Sequence, residues 1–169
     1  TGAATFTTSA DAIAFATSGV DLSANVAITT TTGGAGDVDF GGAIETDNGS
    51  RTLIIDSGSG DVTFTGAIGL TNSLGGLNVN STAGDGDGDI VFTEDIGDTT
   101  AGVAGTTAVG NSATAQIRFL DDTYTFGTGT TTFTATTGDT IKLEKTAATT
   151  FKTTGTGISF VGGTIKLSN

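Results

Sequence analysis

Hydrophobic residues recur along this chain in short clusters that alternate with polar residues. The triplets Val-Asp-Phe at 38–40, Val-Thr-Phe at 62–64 and Ile-Val-Phe at 90–92 place apolar side chains at alternate positions, which is the period of a β-strand. Groups of glycine, serine, asparagine and aspartate, such as 47–50 and 57–60, separate the clusters, and these residue types favour turns. The pattern predicts an all-β chain of short strands joined by tight corners.

The strand and turn motifs repeat at a nearly constant distance. The segment Gly-Asp-Val-Asp-Phe-Gly-Gly-Ala-Ile at 36–44 recurs as Gly-Asp-Val-Thr-Phe-Thr-Gly-Ala-Ile at 60–68, and a third copy, Gly-Asp-Ile-Val-Phe-Thr-Glu-Asp-Ile, occupies 88–96. A second strand signal follows the same period. Leu-Ile-Ile at 53–55 recurs as Leu-Asn-Val at 77–79, and Ile-Lys-Leu at 141–143 recurs at 165–167. Two strands per repeat are therefore expected.

Equivalent repeats of this kind favour a right-handed parallel β-solenoid, the hand being taken by analogy. Each repeat would form one rung, and like strands would stack about 4.8 Å apart. Phenylalanines at 15, 40, 64, 92 and 119 should then form a column in the core, with Val62 and Phe64 inward and Thr63 outward. An antiparallel β-sandwich is the alternative. Its strands occupy non-equivalent places, so copies at a fixed period favour the solenoid.

Charge divides the chain into two parts. Residues 1–116 carry 14 acidic side chains and the single base Arg51, whereas residues 117–169 carry four acidic and five basic side chains. We therefore predict acidic repeat rungs of about 24–28 residues over 1–116 and a Thr-rich, near-neutral continuation or terminal cap over 117–169. The net charge of −12 opposes binding to nucleic acid and to anionic lipid, because both need basic side chains.

The chain lacks the side chains that most enzymes use. It contains no histidine and no cysteine, which removes the usual general base, the thiol nucleophile and two common metal ligands. Some β-helix enzymes cleave acidic polysaccharides with calcium and a basic residue, but Arg51 and Arg118 are isolated in the sequence. We expect a protein that is not an enzyme and requires no cofactor, and a polysaccharide-active β-helix enzyme is a further alternative.

One motif suggests a cation site. In Gly-Asp-Gly-Asp-Gly-Asp at 84–89, Asp85, Asp87 and Asp89 alternate with glycines that allow oxygen ligands to converge on calcium. The motif lacks the nine-residue repetition of calcium rolls and the terminal glutamate of an EF-hand, so a solvated turn is the alternative. Stacked rungs would also align Asp37, Asp61 and Asp89 as a ladder of like charges, at a cost of roughly 1 kcal/mol per pair in water.

Threonines at 128, 130, 132, 134 and 136 would share one face of an extended strand. A regular threonine array can order water, so an ice-binding protein is another alternative. Ice binding requires the array to recur on neighbouring rungs. The equivalent pairs expected to face outward elsewhere are Asp39 with Gly41 and Asn78 with Asn80, which weakens this interpretation.

The segment Gly-Asp-Val-Thr-Phe-Thr-Gly-Ala-Ile-Gly at 60–69, followed by Leu-Gly-Gly-Leu-Asn-Val-Asn at 74–80, resembles repeat units of large bacterial surface proteins of filamentous-haemagglutinin or autotransporter type. The resemblance covers residues 36–97. It implies a secreted β-helix at the cell surface or in the extracellular space, with a role in adhesion or surface structure. The secretion and membrane-barrel domains of such proteins are not visible here.

These observations predict a non-enzymatic, extracellular structural or adhesive segment of a microbial surface or matrix protein. Its partners would be a further length of the same coil or a carbohydrate or protein ligand, whose identity is left open. The alternative is a filament subunit that self-associates end to end. No apolar run reaches the roughly 18 residues needed to span a bilayer, so membrane insertion is not expected. Any secretion signal is expected outside these residues.

Overall fold

A computed structural model describes residues 2–30, 36–82 and 88–167, without the side chains of 137–139. The described residues contain strands and no helix. In chain order, the strands are β1 (Ala4–Thr7), β2 (Ile13–Phe15), β3 (Val20–Leu22), β4 (Val26–Thr29), β5 (Val38–Phe40), β6 (Ile44–Thr46), β7 (Thr52–Asp56), β8 (Val62–Phe64), β9 (Gly76–Val79), β10 (Ile90–Phe92), β11 (Thr107–Val109), β12 (Ile117–Phe119), β13 (Thr123–Phe126), β14 (Thr131–Leu143), β15 (Thr150–Thr153) and β16 (Ile158–Leu167).

The strands form a parallel β-solenoid, as predicted. Every strand pair is parallel and joins one turn of the chain to the next, as in β5 with β8 and β8 with β10. The coil makes about six turns. Parallel pairing throughout the described residues excludes the antiparallel sandwich, in which consecutive strands would run in opposite directions.

The coil has three faces. Face 1 contains β1, β4, β7, β9, β11 and the first parts of β14 and β16, whereas face 2 contains β2, β5, β8, β10, β12 and the last parts of β14 and β16. Face 3 contains β3, β6, β13 and β15, which are linked in the middle rungs by single bridges at Ile68 and Ile96. The sequence predicted only two strands per rung. The sequence did not predict face 3, because in the middle rungs this face consists of a single bridging residue in place of a strand.

The predicted phenylalanine column is confirmed on the inner side of face 2. Phe15, Phe40, Phe64, Phe92 and Phe119 stack in order, with ring centroids 4.7, 5.4, 5.0 and 5.3 Å apart. Stacked rings follow from strict register, because parallel pairing places each ring directly beside its equivalent one turn later. This column and the inward aliphatic residues of the three faces fill the coil interior.

Strand β8 shows the predicted alternation of side chains. Val62 and Phe64 are 0% and 1% exposed, and Thr63 between them is only partly buried. The predicted corners are confirmed as well. Gly49 and Gly58 adopt φ values of 72° and 59°, a region that glycine occupies without a Cβ clash.

A column of buried polar side chains lines the corner between faces 1 and 2. Ser57 and Asn80 occupy successive rungs and are both buried. The Ser57 N–H donates to Oδ1 of Asn80 at 2.8 Å, and Nδ2 of Asn80 donates to Oγ of Ser57 at 2.8 Å. On the next rung, Nδ2 of Asn111 donates to the Asn80 carbonyl at 2.7 Å. These side chains satisfy backbone groups where the strands end.

Candidate functional site

Three carboxylates meet where face 2 turns into face 3, and we call them the acidic cluster: Asp95, Asp121 and Asp122. Asp95 comes directly before the bridging residue Ile96, and the other two lie between β12 and β13. Their oxygen atoms lie within 4.8 Å of one another, and all three residues are partly buried. Stacking of successive rungs brings them together, since Ile96 pairs with Tyr124 in the next turn.

Hydrogen bonds fix the orientation of the acidic cluster. The Thr123 N–H donates to Oδ1 of Asp95 at 3.0 Å, and the Thr123 hydroxyl donates to Oδ1 of Asp122 at 2.9 Å. The Asp121 N–H donates to the buried Tyr124 hydroxyl oxygen at 2.8 Å. Lys145, one turn later, forms a salt bridge with Oδ1 of Asp121. The positively charged Lys145 ammonium group therefore lies beside the three carboxylates of the acidic cluster.

The surroundings shift the pKa values of Asp95 and Asp121 in opposite directions. Burial raises the pKa of Asp95, and the Asp121 and Asp122 carboxylates add to that rise against the hydrogen bond from Thr123. Hydrogen bonding to Lys145 lowers the pKa of Asp121. Burial likewise raises the pKa of the Tyr124 hydroxyl, so this phenol stays neutral at pH 7. The acidic cluster is thus a site of concentrated negative charge that Lys145 balances only in part.

Replacing Lys145 with methionine should lower stability at pH 7 by less than a core substitution does, because the salt bridge is partly exposed. Lys145 holds the pKa of Asp121 below its ordinary 3.8, so the pair stabilises the fold above about pH 4 and loses that effect as pH falls further. The difference between the variant and the parent should therefore fade as the pH falls below about 4. Urea unfolding across this range measures it.

The matched control for this pH experiment is Lys166→Met. Lys166 is an exposed lysine of β16, and its replacement removes the same charge without removing the bond to Asp121. The effect of Lys166→Met on the free energy of unfolding should be small and nearly constant with pH. A Lys145→Met difference that persists unchanged at pH 2 would contradict the assignment of that stability to the Asp121 pair.

The acidic cluster has the donor set of a hard-cation site, because carboxylate oxygens are the ligands that calcium prefers. Sequence reasoning missed it, since Asp95 lies 26 residues before Asp121 and the corners between them vary in length. Alignment of Ile96 with Tyr124 as equivalent positions would have indicated the cluster. An acidic cluster alone does not establish a ligand, and Lys145 already occupies one of its carboxylates.

The sequence-predicted calcium motif stands apart from this cluster. Asp85 and Asp87 lie outside the described residues. Asp89 directly precedes β10 on face 2, and its backbone N–H donates to the Asp61 carboxylate at 2.8 Å. Calcium binding by Asp85, Asp87 and Asp89 stays a prediction.

The predicted aspartate ladder is present. The Asp61 N–H donates to Oδ1 of Asp37 at 3.0 Å, and the Asp89 N–H donates in the same way to Asp61. Each of these bonds joins a carboxylate to the backbone of the next rung, and charge-assisted bonds of this type offset part of the repulsion between stacked charges. The ladder therefore has a structural explanation that needs no ion.

The threonine array does not recur as ice binding would require. Strand β14 begins at Thr131, so Thr128 and Thr130 belong to the preceding corner. Outward-facing Thr132 pairs with Ala108 on one side and Ser159 on the other. Neighbouring rungs therefore present different side chains at this position, and a flat threonine lattice is not formed there.

The described residues form shallow grooves on the outer surface of the coil, including one on face 1 and one on face 3. One, of about 280 Å³, crosses face 1 between Thr52, Ile54 and Asn78, and the Ile54 side chain is 43% exposed there. The other, of about 420 Å³, lies on face 3 beside Asp21 and Glu45. The Glu45 carboxylate accepts hydrogen bonds from the backbone of the next rung, so part of its acceptor capacity is already used.

The protein is a parallel β-solenoid, or β-helix, whose interior is filled mainly by apolar side chains. No protein-family model, curated protein or solved structure matches the chain. The resemblance to filamentous-haemagglutinin and autotransporter repeats therefore stays a prediction. The described residues include no helix with the length and hydrophobicity that crossing a bilayer requires.

Proposed function

We propose that this chain is a non-enzymatic structural or adhesive β-repeat segment of an extracellular microbial surface or matrix protein. The observation that carries the proposal is the continuous stack of rungs, in which the phenylalanine column runs from Phe15 to Phe119. A coil packed in this way is a rod whose side surface grows with each added rung. Such a rod suits a spacer or an extended binding surface.

The outer surface supports the adhesive form of this proposal. The groove on face 1 combines the exposed Ile54 with the polar Thr52 and Asn78, and shallow surfaces of mixed polarity suit an extended carbohydrate or a protein surface. The absence of histidine and cysteine from the sequence supports a role without acid–base or thiol chemistry. Binding to nucleic acid is disfavoured by the net charge of −12.

Antibodies raised against the purified chain can test whether the protein lies outside the cell. Applied to intact cells of the organism that makes the protein, they should label the surface without permeabilisation, while an antibody to an internal protein should not. Labelling that appears only after permeabilisation would overturn the extracellular proposal.

Monovalent fragments of the same antibodies then separate the two roles. Reduced attachment of the cells to a surface, compared with unrelated fragments, would support adhesion. Unchanged attachment of fully labelled cells would overturn adhesion and leave the structural role.

A further inference from the structure

The outer surface of face 2 carries basic side chains on three consecutive rungs. The strand register aligns one outward residue of each rung in a column along the coil axis, and we call this the outer column. From β5 to β16 its members are Asp39, Thr63, Val91, Arg118, Lys142 and Lys166. The last three rungs of face 2 therefore present a cation at the same position.

Carboxylates occupy the three preceding rungs of the same face. Asp39 belongs to the outer column, and Asp37, Asp61 and Asp89 directly precede β5, β8 and β10. The last three lie two residues before the outer column, so their side chains point to the same side of the sheet. Asp37, Asp39 and Asp61 are exposed, and Asp89 is partly exposed. We call β5, β8 and β10 the acidic half of face 2, and β12 with the last parts of β14 and β16 the basic half.

The cations of the basic half can bind further carboxylates. Nη2 of Arg118 lies 2.6 Å from Oε2 of Glu144, and the Lys142 ammonium group donates to Oε1 of Gln116. A guanidinium has five N–H donors and an ammonium group has three, so these contacts leave donors on both side chains. Lys166 is exposed. All three cations are therefore available to an acidic partner.

Face 2 is complementary in charge to an inverted copy of itself. Two copies can face each other with antiparallel coil axes, related by a two-fold axis along the strand direction, and each column then lies opposite the same column of the second copy. If this axis passes between β10 and β12, β5 faces β16, β8 faces β14, and β10 faces β12. The charged residues brought together are Asp39 with Lys166, Asp61 with Lys142, and Asp89 with Arg118. Each rung of the acidic half therefore meets a rung of the basic half.

Charge disfavours the other arrangements of this face. With parallel coil axes, Asp39 would face Asp39 and Lys166 would face Lys166, and close like charges repel by roughly 1 kcal/mol per pair in water. An acidic polymer that follows the coil axis would fit the basic half but would then meet the carboxylates of the acidic half. In a chain with a net charge of −12, a face with both signs of charge lets two copies approach with less repulsion.

We propose that face 2 binds a second copy of this chain with antiparallel coil axes, so that the acidic half of each copy meets the basic half of the other. The two-fold symmetry closes the contact, so the product is a dimer. Six rungs extend over about 24 Å, so the contact is small and should be reversible and sensitive to salt. This inference goes beyond the proposed function and holds whatever the location of the protein in the cell.

Sedimentation velocity of the purified chain tests the proposal. At low salt the parent chain should form a dimer as its concentration rises, without growing further. Asp39→Lys and Lys166→Asp should each weaken dimerisation about tenfold, because each places like charges across the contact. The matched controls are Asp21→Lys and Lys152→Asp on face 3. They make the same charge changes at exposed positions and should alter dimerisation by about twofold or less.

The double variant that combines Asp39→Lys with Lys166→Asp provides the decisive comparison. It exchanges both charges, so opposite charges meet again and dimerisation should return towards the parent level. Circular dichroism checks that each variant folds. A double variant that dimerises as weakly as the single variants would overturn the proposal. So would a parent chain that stays monomeric at low salt and binds polygalacturonate through Lys166, because the basic half would then serve an acidic polymer.

Spin-label distances test the antiparallel orientation. The chain contains no cysteine, so Ala14→Cys creates a single labelling site at an exposed position of face 2, one rung before β5. In the proposed dimer the two labels are seven rung spacings apart, which is about 34 Å along the coil axis. Labels only about 15 Å apart would indicate parallel coil axes and would overturn the proposal.

Discussion

Replacing Phe64 with alanine should lower the free energy of unfolding by about 3–5 kcal/mol. The Phe64 ring is 1% exposed and stacks between Phe40 and Phe92, with centroid distances of 5.4 and 5.0 Å. Its loss removes both ring contacts and leaves a cavity in the middle of the column, where rungs on either side limit collapse of the backbone. Urea unfolding followed by circular dichroism measures the change.

Two controls separate burial from general effects of substitution. Thr63→Ala alters the outward neighbour of Phe64 and should change the free energy of unfolding by about 0.5 kcal/mol or less. Phe6→Ala removes the same ring from a position that is 43% exposed and should cost much less than Phe64→Ala. Equal losses for Phe6 and Phe64 would contradict the stabilising role given to the inner column.

Replacing Asn80 with alanine should lower the free energy of unfolding by about 2–4 kcal/mol, through two separate causes. The substitution leaves the buried Ser57 N–H without the Asn80 oxygen that accepts from it at 2.8 Å. It also places alanine at a φ of 45°, a left-handed conformation that asparagine tolerates better than alanine does. Urea unfolding again provides the measurement.

Asn80→Gly distinguishes the two causes. Glycine adopts a positive φ without strain, so this variant should regain the backbone part of the loss and retain the hydrogen-bond part. Asn78→Ala is the matched control, since Asn78 faces outward on β9, which Asn80 directly follows, and the Asn78 side chain contacts the Ser81 hydroxyl near the surface. A loss at Asn78 as large as that at Asn80 would contradict the importance of the buried polar column.

Much of the fold was predictable because sequence copies identify equivalent positions directly. The match of 36–44 with 60–68 aligns Val38 with Val62, and the structure pairs these residues. The same alignment predicted the aspartate ladder. The third face could not be predicted in this way, because Ile68 and Ile96 are single apolar residues without the alternation that marks a strand.

Threonine shows a second limit of the sequence pattern. Thr107 and Thr131 are fully buried on the inner side of face 1, although threonine is common on solvent-facing strand positions. Threonine favours strands on either face, so its side is decided by neighbours such as Val109 and Phe133, which also point inward.

The acidic cluster was beyond prediction for a different reason. Asp95, Asp121 and Asp122 come from successive corners, and their approach depends on the exact pairing of Ile96 with Tyr124. The sequence instead directed attention to the local motif at 84–89, where the carboxylates are neighbours along the chain. The proximity of carboxylates from different rungs can be predicted only when the number of residues in each corner is known.

The length of a rung varies while the pairing of its strands does not. Leu53 pairs with Leu77, and Leu77 pairs with Thr107, so one rung takes 24 residues and the next takes 30. The additional residues enter the corners and leave the inward positions aligned. Evolution can therefore insert residues into a corner, and with them a new recognition loop, without redesigning the interior of the protein.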